Sequence, residues 1–338
     1  MSGAAQAGPN VVLLMNMGGP DSEAAVAPFL TNLFLDPEIL PLPLPGFLRD
    51  IVARRIAAKR APKVIPRYRM LGGKSPQGEL TARQAAALQA QLNAGGDGPW
   101  RVLVAMRYWH PFTREALDEA ADLRPARLIG LSLYPHYSRA VGGSSIGELN
   151  RELRRRPLAC PTRTVAQFYR HPLFLRAHAE RIAAALAGFP DGGRDAFVLF
   201  SAHNLPEKLI RQGDPYLDQV RATVDGLLPA IGARLWRLAF QSRSGPVKWL
   251  APEVGDTLGA LAAEGRRQVL MVPLSFVSDQ IETLHEIDVV YADAARAAGV
   301  DFRRTPAFND APDFIALLAA LAREAAGVGG EAGPGRGE

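Results

Sequence analysis

A chain of 338 residues, 48% hydrophobic and 22% charged, has the balance of a folded protein and enough length for two packed domains. The net charge of +5 is mild and no usual nucleic-acid motif occurs, so nucleic acid is not an expected partner. A lone cysteine, Cys160, cannot close an internal disulfide or hold an iron–sulfur cluster by itself, and no run approaches the roughly 20 apolar residues of a membrane span.

The opening MSGAAQAGPN has neither a basic nor an apolar signal region, which with the single cysteine sets the expectation of a cytoplasmic protein. The first apolar run, VVLLMNM (11–17), reads as a buried strand. Residues 37–48, PEILPLPLPGFL, place four prolines among six apolar side chains, which excludes a central strand and disfavours a helix. Two readings are open there. One is a buried loop; the other is an exposed apolar lip that suits a flat hydrophobic ligand or a membrane surface. From Arg49 to Arg69 follow eight basic residues (Arg49, Arg54, Arg55, Lys59, Arg60, Lys63, Arg67, Arg69) against one acid, Asp50. Such a run is most often a solvated helix face, and otherwise a site for carboxylate, phosphate or an anionic membrane; standing directly after 37–48, it favours the exposed-lip reading of that segment.

Beyond it, helices are expected near 80–93, 113–121, 145–155, 172–187, 215–229, 248–263, 281–297 and 311–325. Between them lie strands at 101–106, 126–134, 163–168, 196–201, 233–240, 266–274 and 300–305. Continuous apolar strands alternating with helices imply parallel sheets covered on both faces. The strands fall into two sets of four, joined near 168–172, and VVLLMNMGGP and AFVLFSAHNLP hint at an internal repeat. The expected fold class is therefore α/β, with units at 1–168 and 169–310 and a ligand cleft beside the strand carboxyl ends. The Gly-rich tail, 327–338, is expected to be disordered.

Five segments after strands are dense in polar and aromatic groups: MRYWHP (106–111), YPHYS (134–138) running into GGSS (142–145), FSAHNLP (200–206) running on to GDPY (213–216), QSRSGP (241–246) with Trp249, and SDQIETLHEID (278–288). Strand-end loops are where α/β proteins concentrate binding and catalysis. Singly each has a bland reading. His203 is a structural histidine or a base; the i, i+4 pair Glu282 and Glu286 is a solvated helix face or a site. The GGSS segment could hold phosphate at a helix start but lacks the P-loop lysine and spacing.

Their joint order is more specific. LLMNMGGPDS, PRYRMLGGKSP with LTARQ, AMRYWHP, LYPHYS with GSS, FSAHNLP with GDPY, FQSRSGPVKWLAP and VPLSFVSDQIETLHEID run from Leu13 to about Ala325. In this order they resemble the ferrochelatases, enzymes that insert ferrous iron into a porphyrin late in haem synthesis. The resemblance implies two Rossmann-like halves, each with a four-stranded parallel sheet, the porphyrin between them, and a final helix (311–326) packed back on the first half. It implies protoporphyrin IX and Fe²⁺ as substrates, with coproporphyrin III as the alternative; the lip and basic run resemble the protoporphyrin branch more. Peripheral contact with the inner membrane through 37–69 goes with that reading.

Chelation must bend the macrocycle, at about 1–5 kcal/mol of strain, and remove two pyrrole protons. A neutral imidazole suits both proton acceptance and Fe²⁺. By similarity His203 is that group and Glu282 the facing carboxylate, with His203, Glu282 and Glu286 facing the metal. Arg60, Tyr68, Ser75, Arg107, Tyr137 and Trp249 match pocket positions, Arg60 and Ser75 as propionate partners. Met15 would present its thioether to the ring. Iron is a substrate here; no obligate cofactor is implied, and neither the four-cysteine cluster nor the membrane segment of some relatives is matched. The sequence departs from the family at Gln280, usually histidine, at Val290, often a third carboxylate, and at Lys74, usually glycine. Gln280 and Val290 interrupt an outer metal route, which His285 or Asp288 would have to complete, and they motivate a rival reading as a non-catalytic porphyrin-binding homologue. A cobalt or nickel chelatase of related fold would share fewer of these blocks.

Overall fold

The computed structural model describes residues 8–41, 44–243 and 245–328, so most of the expected disordered tail lies outside the described residues. The first sheet is built from β1 (Asn10–Asn16), β2 (Trp100–Met106), β3 (Arg127–Ser132) and β4 (Thr162–Val165), in the order β2-β1-β3-β4. The second is built from β5 (Phe197–His203), β6 (Trp236–Gln241), β7 (Gln268–Pro273) and β8 (Asp301–Arg304), in the order β6-β5-β7-β8. Every pairing is parallel, and the second sheet repeats the topology of the first. All eight expected strands are present, and the α/β class with two parallel four-stranded sheets is established. In each sheet the strand order reverses beside its first strand, which opens a crevice at the carboxyl ends of β1 and β3 and of β5 and β7.

The helices are α1 (Val26–Leu35), α2 (Gly46–Met70), α3 (Gln77–Ala94), α4 (Thr113–Asp122), α5 (Ser144–Arg155), α6 (Pro172–Ala187), α7 (Glu207–Arg211), α8 (Tyr216–Ile231), α9 (Val254–Ala263), α10 (Ala292–Ala297) and α11 (Pro312–Ala326). Two stretches, Arg139–Gly143 and Glu282–Tyr291, wind as π-helix. Strand alternation sets which face each side chain joins. Val12 and Leu14 of β1 meet residues of α3 and α11, whereas Val11, Leu13 and Met15 meet α4 and α5. Likewise Val198, Phe200 and Ala202 of β5 face α8, and Phe197 and Leu199 face α9 and the second π-helix. Helix α6 joins the two sheets: Phe174 and Ala177 lie in the core of the first, Ile182 and Leu186 in that of the second.

Several elements differ from expectation: the short α7 and the π-helical winding were not foreseen, and two larger differences lie before α3. Helix α1 was not foreseen, and α2 runs 25 residues through the basic stretch with Pro62 and Pro66 inside it. Both prolines are exposed, so the carbonyls they leave unpaired, those of Ala58 and Pro62, lie on the wet side of the helix where water can serve them. Pro45 stands at the N-cap, where a missing N–H costs nothing, so Phe47 and Leu48 of the lip are helical. The inner stripe of α2 is Ala53, Ala57 and Ala61, small groups at i, i+4 spacing that let it lie close on α1, followed by the buried Tyr68. Among the described residues no helix is long and apolar enough to cross a membrane.

Candidate active site

His203 closes β5, at the crevice beside β7, with Gln241 as its register partner on β6. Its backbone is clamped from both sides. The N–H donates to Ser275 Oγ at 3.3 Å, the carbonyl accepts from the Tyr216 hydroxyl at 2.9 Å, and those two hydroxyls are 2.7 Å apart. The half-buried ring stands edge-on to Phe276, centroids 5.9 Å apart. Burial pushes its pKa down to about 4, so the imidazole is neutral at pH 7.

Facing the same strand ends is the π-helix that begins at Glu282. π-Helical turns are rare and frequent at functional sites. Burial, then the neighbouring charge of Glu286, pushes the half-buried Glu282 up to about 7. Gln241 ties this helix to the strand paired with His203: its Nε2 donates to the Glu282 carbonyl at 3.2 Å and to Glu286 Oε2 at 3.3 Å. Ser242 Oγ also donates to Glu286, so this carboxylate is held by side-chain donors, whereas that of Glu282 has its own backbone N–H and the charge of Arg67 to favour ionisation. Among the described residues no three His, Cys, Asp or Glu side chains converge as a ligand set, so His203, Glu282 and Glu286 are separate groups rather than a preformed cage.

The opposite wall comes from the first half. Tyr68 of α2 is buried, and its phenol is pushed up by burial and then by the charge of Glu282, which places the two within electrostatic reach. Ile281, one residue before Glu282, packs against the cluster that holds Tyr68 and Tyr108. The phenol of Tyr134, raised mainly by burial, also feels Glu282, and its hydroxyl is 3.1 Å from Asn16 Oδ1.

The other expected positions fall into different surroundings. Arg107 donates to Asp36 Oδ2 at 2.9 Å and to Ser144 Oγ at 2.9 Å, with its charge compensated by a carboxylate that sequence reading had passed over. Asp36, 2% exposed, also accepts from the Tyr108 hydroxyl at 2.7 Å and from Ser144. Burial pushes its pKa up, but the Ser144 bond, the Arg107 charge and the Tyr108 bond outweigh that and hold it below the ordinary carboxylate value. An acid directly after an apolar helix, as in NLFLD (32–36), was the available signal. Tyr137 is half-buried against Gly143, where a Cβ would strike its hydroxyl. Trp249 forms an isolated bridge with Pro206, its indole N–H 3.5 Å from the Gly245 carbonyl. Arg60 is exposed, with its guanidinium 5.6 Å from the Phe34 ring.

Several expectations are corrected. Met15 does not face the cleft; it is 1% exposed, in the core with Leu149, its sulfur close to Gly130. The strand ends at Asn16 and the chain turns through Gly18 (φ 82°), so the cleft-side methionine is Met17, packed against the Tyr68–Tyr108 cluster. Ser75 is buried beneath Gly19, where its hydroxyl accepts the Gln77 N–H at 3.3 Å. Lys74 pairs with Glu79. Asp288 is held by Arg304 at 2.6 and 2.7 Å and is not available to extend a metal route. His285 keeps a buried Nδ1 without a partner. Val290, 47% exposed, ends the line of Glu282 and Glu286 at the surface. Gln280 is not an idle substitute; its Oε1 accepts from Gln77 Nε2 at 2.9 Å.

Two parallel sheets of identical order, with a neutral histidine at one switch point and a near-neutral carboxylic acid on the π-helix tied to the neighbouring strand, fit an α/β enzyme of the chelatase type. The fold comparison agrees. SirB from Bacillus subtilis, solved with Fe³⁺, superposes with a TM-score of 0.55 at 11% identity, over 94% of this chain and 96% of that one. The sirohydrochlorin chelatase SirB of the subspecies spizizenii, in complex with cobalt, gives 0.52 at 10% identity and the same coverage. At such identities the likeness is one of fold. In sequence, the ferrochelatase family profile matches residues 9–326. The ferrochelatase of Geotalea daltonii is 50% identical over 319 residues, 94% of this chain and 98% of the relative. That of Gloeobacter violaceus is 44% identical over 324 residues, 94% and 98% of the two chains. The chain belongs to the ferrochelatase family and is a metal-inserting enzyme.

Proposed function

We propose that this chain inserts Fe²⁺ into protoporphyrin IX to give protoheme, with His203 receiving the pyrrole protons and facing the metal, and Glu282 as the proton's next station. One observation carries the reading. The backbone of His203 pairs in register with Gln241, whose side chain holds the Glu282 backbone carbonyl, so an imidazole with a pKa of about 4 and a carboxyl with a pKa of about 7 lie on neighbouring segments. A proton taken up by His203 therefore runs downhill to ionised Glu282, by about 4 kcal/mol for three pKa units. The imidazole is regenerated neutral, ready for a second proton or for the metal. Met17 and Ile281, packed against the cluster that holds Tyr68, would offer an apolar face to a macrocycle. The apolar start of α2 supports protoporphyrin over the more anionic coproporphyrin. The test is anaerobic insertion of Fe²⁺ and Zn²⁺ into each porphyrin, followed by absorption. Faster turnover of protoporphyrin is expected. Faster turnover of coproporphyrin would reverse the substrate, and binding without insertion of either metal would leave a porphyrin-binding protein.

We also infer peripheral contact with an anionic membrane through the start of α2. Phe47, Leu48 and Ile51 are 69%, 38% and 43% exposed, and Arg49, Arg54 and Arg55 lie among them. Exposed apolar groups beside arginines match the boundary of an anionic bilayer. Co-sedimentation with phosphatidylglycerol vesicles, lost for Phe47→Ser and for neutral vesicles, is the expected result; equal pelleting of both lipids by both proteins would contradict it.

A further inference from the structure

The face of α3 that meets the second half is polar although it is buried. Gln77, Thr81 and Gln84, at 5%, 0% and 0% exposure, follow one another at i, i+4 and i+7. Burying amides costs free energy unless they are satisfied, so their partners show what they hold. Gln84 Nε2 donates to Ser278 Oγ at 2.9 Å and to the Asn309 carbonyl at 2.7 Å. Gln77 Nε2 donates to Asn16 Oδ1 at 3.2 Å and to Gln280 Oε1 at 2.9 Å, the latter across 203 residues of chain. Asn16 is itself fixed: its Nδ2 donates to Thr81 Oγ1 at 3.1 Å, and its Oδ1 accepts the Met17 N–H at 2.8 Å.

Gln280 stands at the entry of the π-helix. Its carbonyl accepts the N–H groups of Thr283 and Leu284 at 3.1 and 2.9 Å, and its own N–H donates to Thr283 Oγ1 at 3.0 Å. Backbone and side chain of one residue thus fix both the first turn of that helix and its attachment to α3. Glu282 follows two residues later. A neutral amide can neither carry a proton at pH 7 nor match imidazole as a metal ligand, and its one well-placed oxygen is already occupied.

We infer that Gln77 and Gln280 form a strut between the halves that positions Glu282 over the cleft, so that Gln280 is a positioning residue and the two glutamines act as one unit. This rests on the assignment of Glu282 as a reacting carboxylate. It accounts for glutamine at 280: the residue is matched to Gln77 and not to a passing metal.

The test is a double-mutant cycle in steady-state metal insertion, with Gln77→Met and Gln280→Met keeping side-chain length while removing the amide, and Glu282→Gln measured alongside. Each single variant should lower kcat about tenfold and leave the KM for Fe²⁺ within about twofold, and the double variant should match either single one, as members of one unit do. Gln280→Glu, which keeps the acceptor for Gln77, should retain most of kcat and serves as the measurement should a Met variant fail to fold. A multiplicative, roughly hundredfold loss in the double variant would overturn the strut. So would a raised KM for Fe²⁺ with kcat unchanged in Gln280→Met, which would return Gln280 to the metal's route. Lowered melting temperatures with kcat unchanged would reduce the pair to a structural contact and overturn the inference equally. Full activity of Glu282→Gln would instead remove the underlying assignment, and that result is independent of the cycle.

Discussion

Beside the carboxyl end of β2, Asp36 is surrounded by Arg107, Tyr108 and Ser144, and its pKa is held low. Beside the carboxyl end of β5, Glu282 has a like charge for its neighbour and a pKa near 7. Both are shielded carboxylates at strand ends of topologically identical sheets. The first has its hydrogen-bonding capacity filled and serves as an anchor; the second is left short of partners and able to change charge. The difference teaches that function in this fold is written in what is left unsatisfied. It also separates two kinds of cost, because a filled site loses stability when it is altered and an open site loses chemistry.

The sharpest break in the comparison is His203→Ala, expected to lower metal insertion about 10²–10⁴-fold while leaving the urea midpoint near that of the parent. An active variant would end the assignment of the base. On the anchored side, Asp36→Ala leaves the Arg107 guanidinium with only Glu148, 3.7 Å away, as a counter-charge and should cost about 3 kcal/mol in urea unfolding, part of it recovered by Asp36→Ala with Arg107→Met. A loss under about 1 kcal/mol would show the network to be ornamental.

Glu282→Gln tests the open side from the opposite direction. The folded pKa, about 7, lies above the unfolded value of 4.5, so ionisation is disfavoured in the folded state. The resulting destabilisation is absent below pH 4.5, grows as pH rises and is complete above about 7. The variant should therefore be more stable by about 3 kcal/mol at pH 8 and no more stable at pH 4, measured by melting across pH. In turnover, the parent's rate should climb as pH rises through about 7, and the variant should lose that limb.

A smaller effect comes from His136 and His178, buried near the seam between the halves, where burial pushes both pKa values down to about 3. Between pH 6.5 and that value the unfolded chain binds protons that the folded chain refuses, so stability is full above 6.5 and falls as pH falls. His178→Phe should remove about 2 kcal/mol of the loss between pH 6.5 and 5. Parallel melting curves for parent and variant over that range would assign the acid sensitivity elsewhere.

The sheets were legible because parallel strands buried on both faces are continuous apolar runs, as in VVLLMNM and AFVLF, short and rich in β-branched or aromatic residues. Helix α2 was not, because its inner stripe is alanine and its outer face carries prolines and charge, so neither periodicity nor propensity announces it. Met15 was misassigned for a related reason: period-two alternation gives Met15 and Met17 one face, but the strand stops between them. That His203 ends β5 and Glu282 begins a helix tied to the neighbouring strand accords with the expectation drawn from motif order. That Asp36 compensates Arg107, and that Gln77 reaches Gln280, depend on contacts between segments distant in sequence, and no local pattern encodes them.

Helix α11, at the end of the chain, supplies Phe314, Leu317, Leu318 and Leu321 to the core that covers Val12, Leu14 and Ile129 near its beginning. The same core holds Ala85, Leu88 and Leu92 of α3, so a helix near β1 in sequence and one far from it close a single apolar surface together. The first strand is thus kept dry jointly by a local and a distant segment, and losing the distant one would open the core of the first sheet to water.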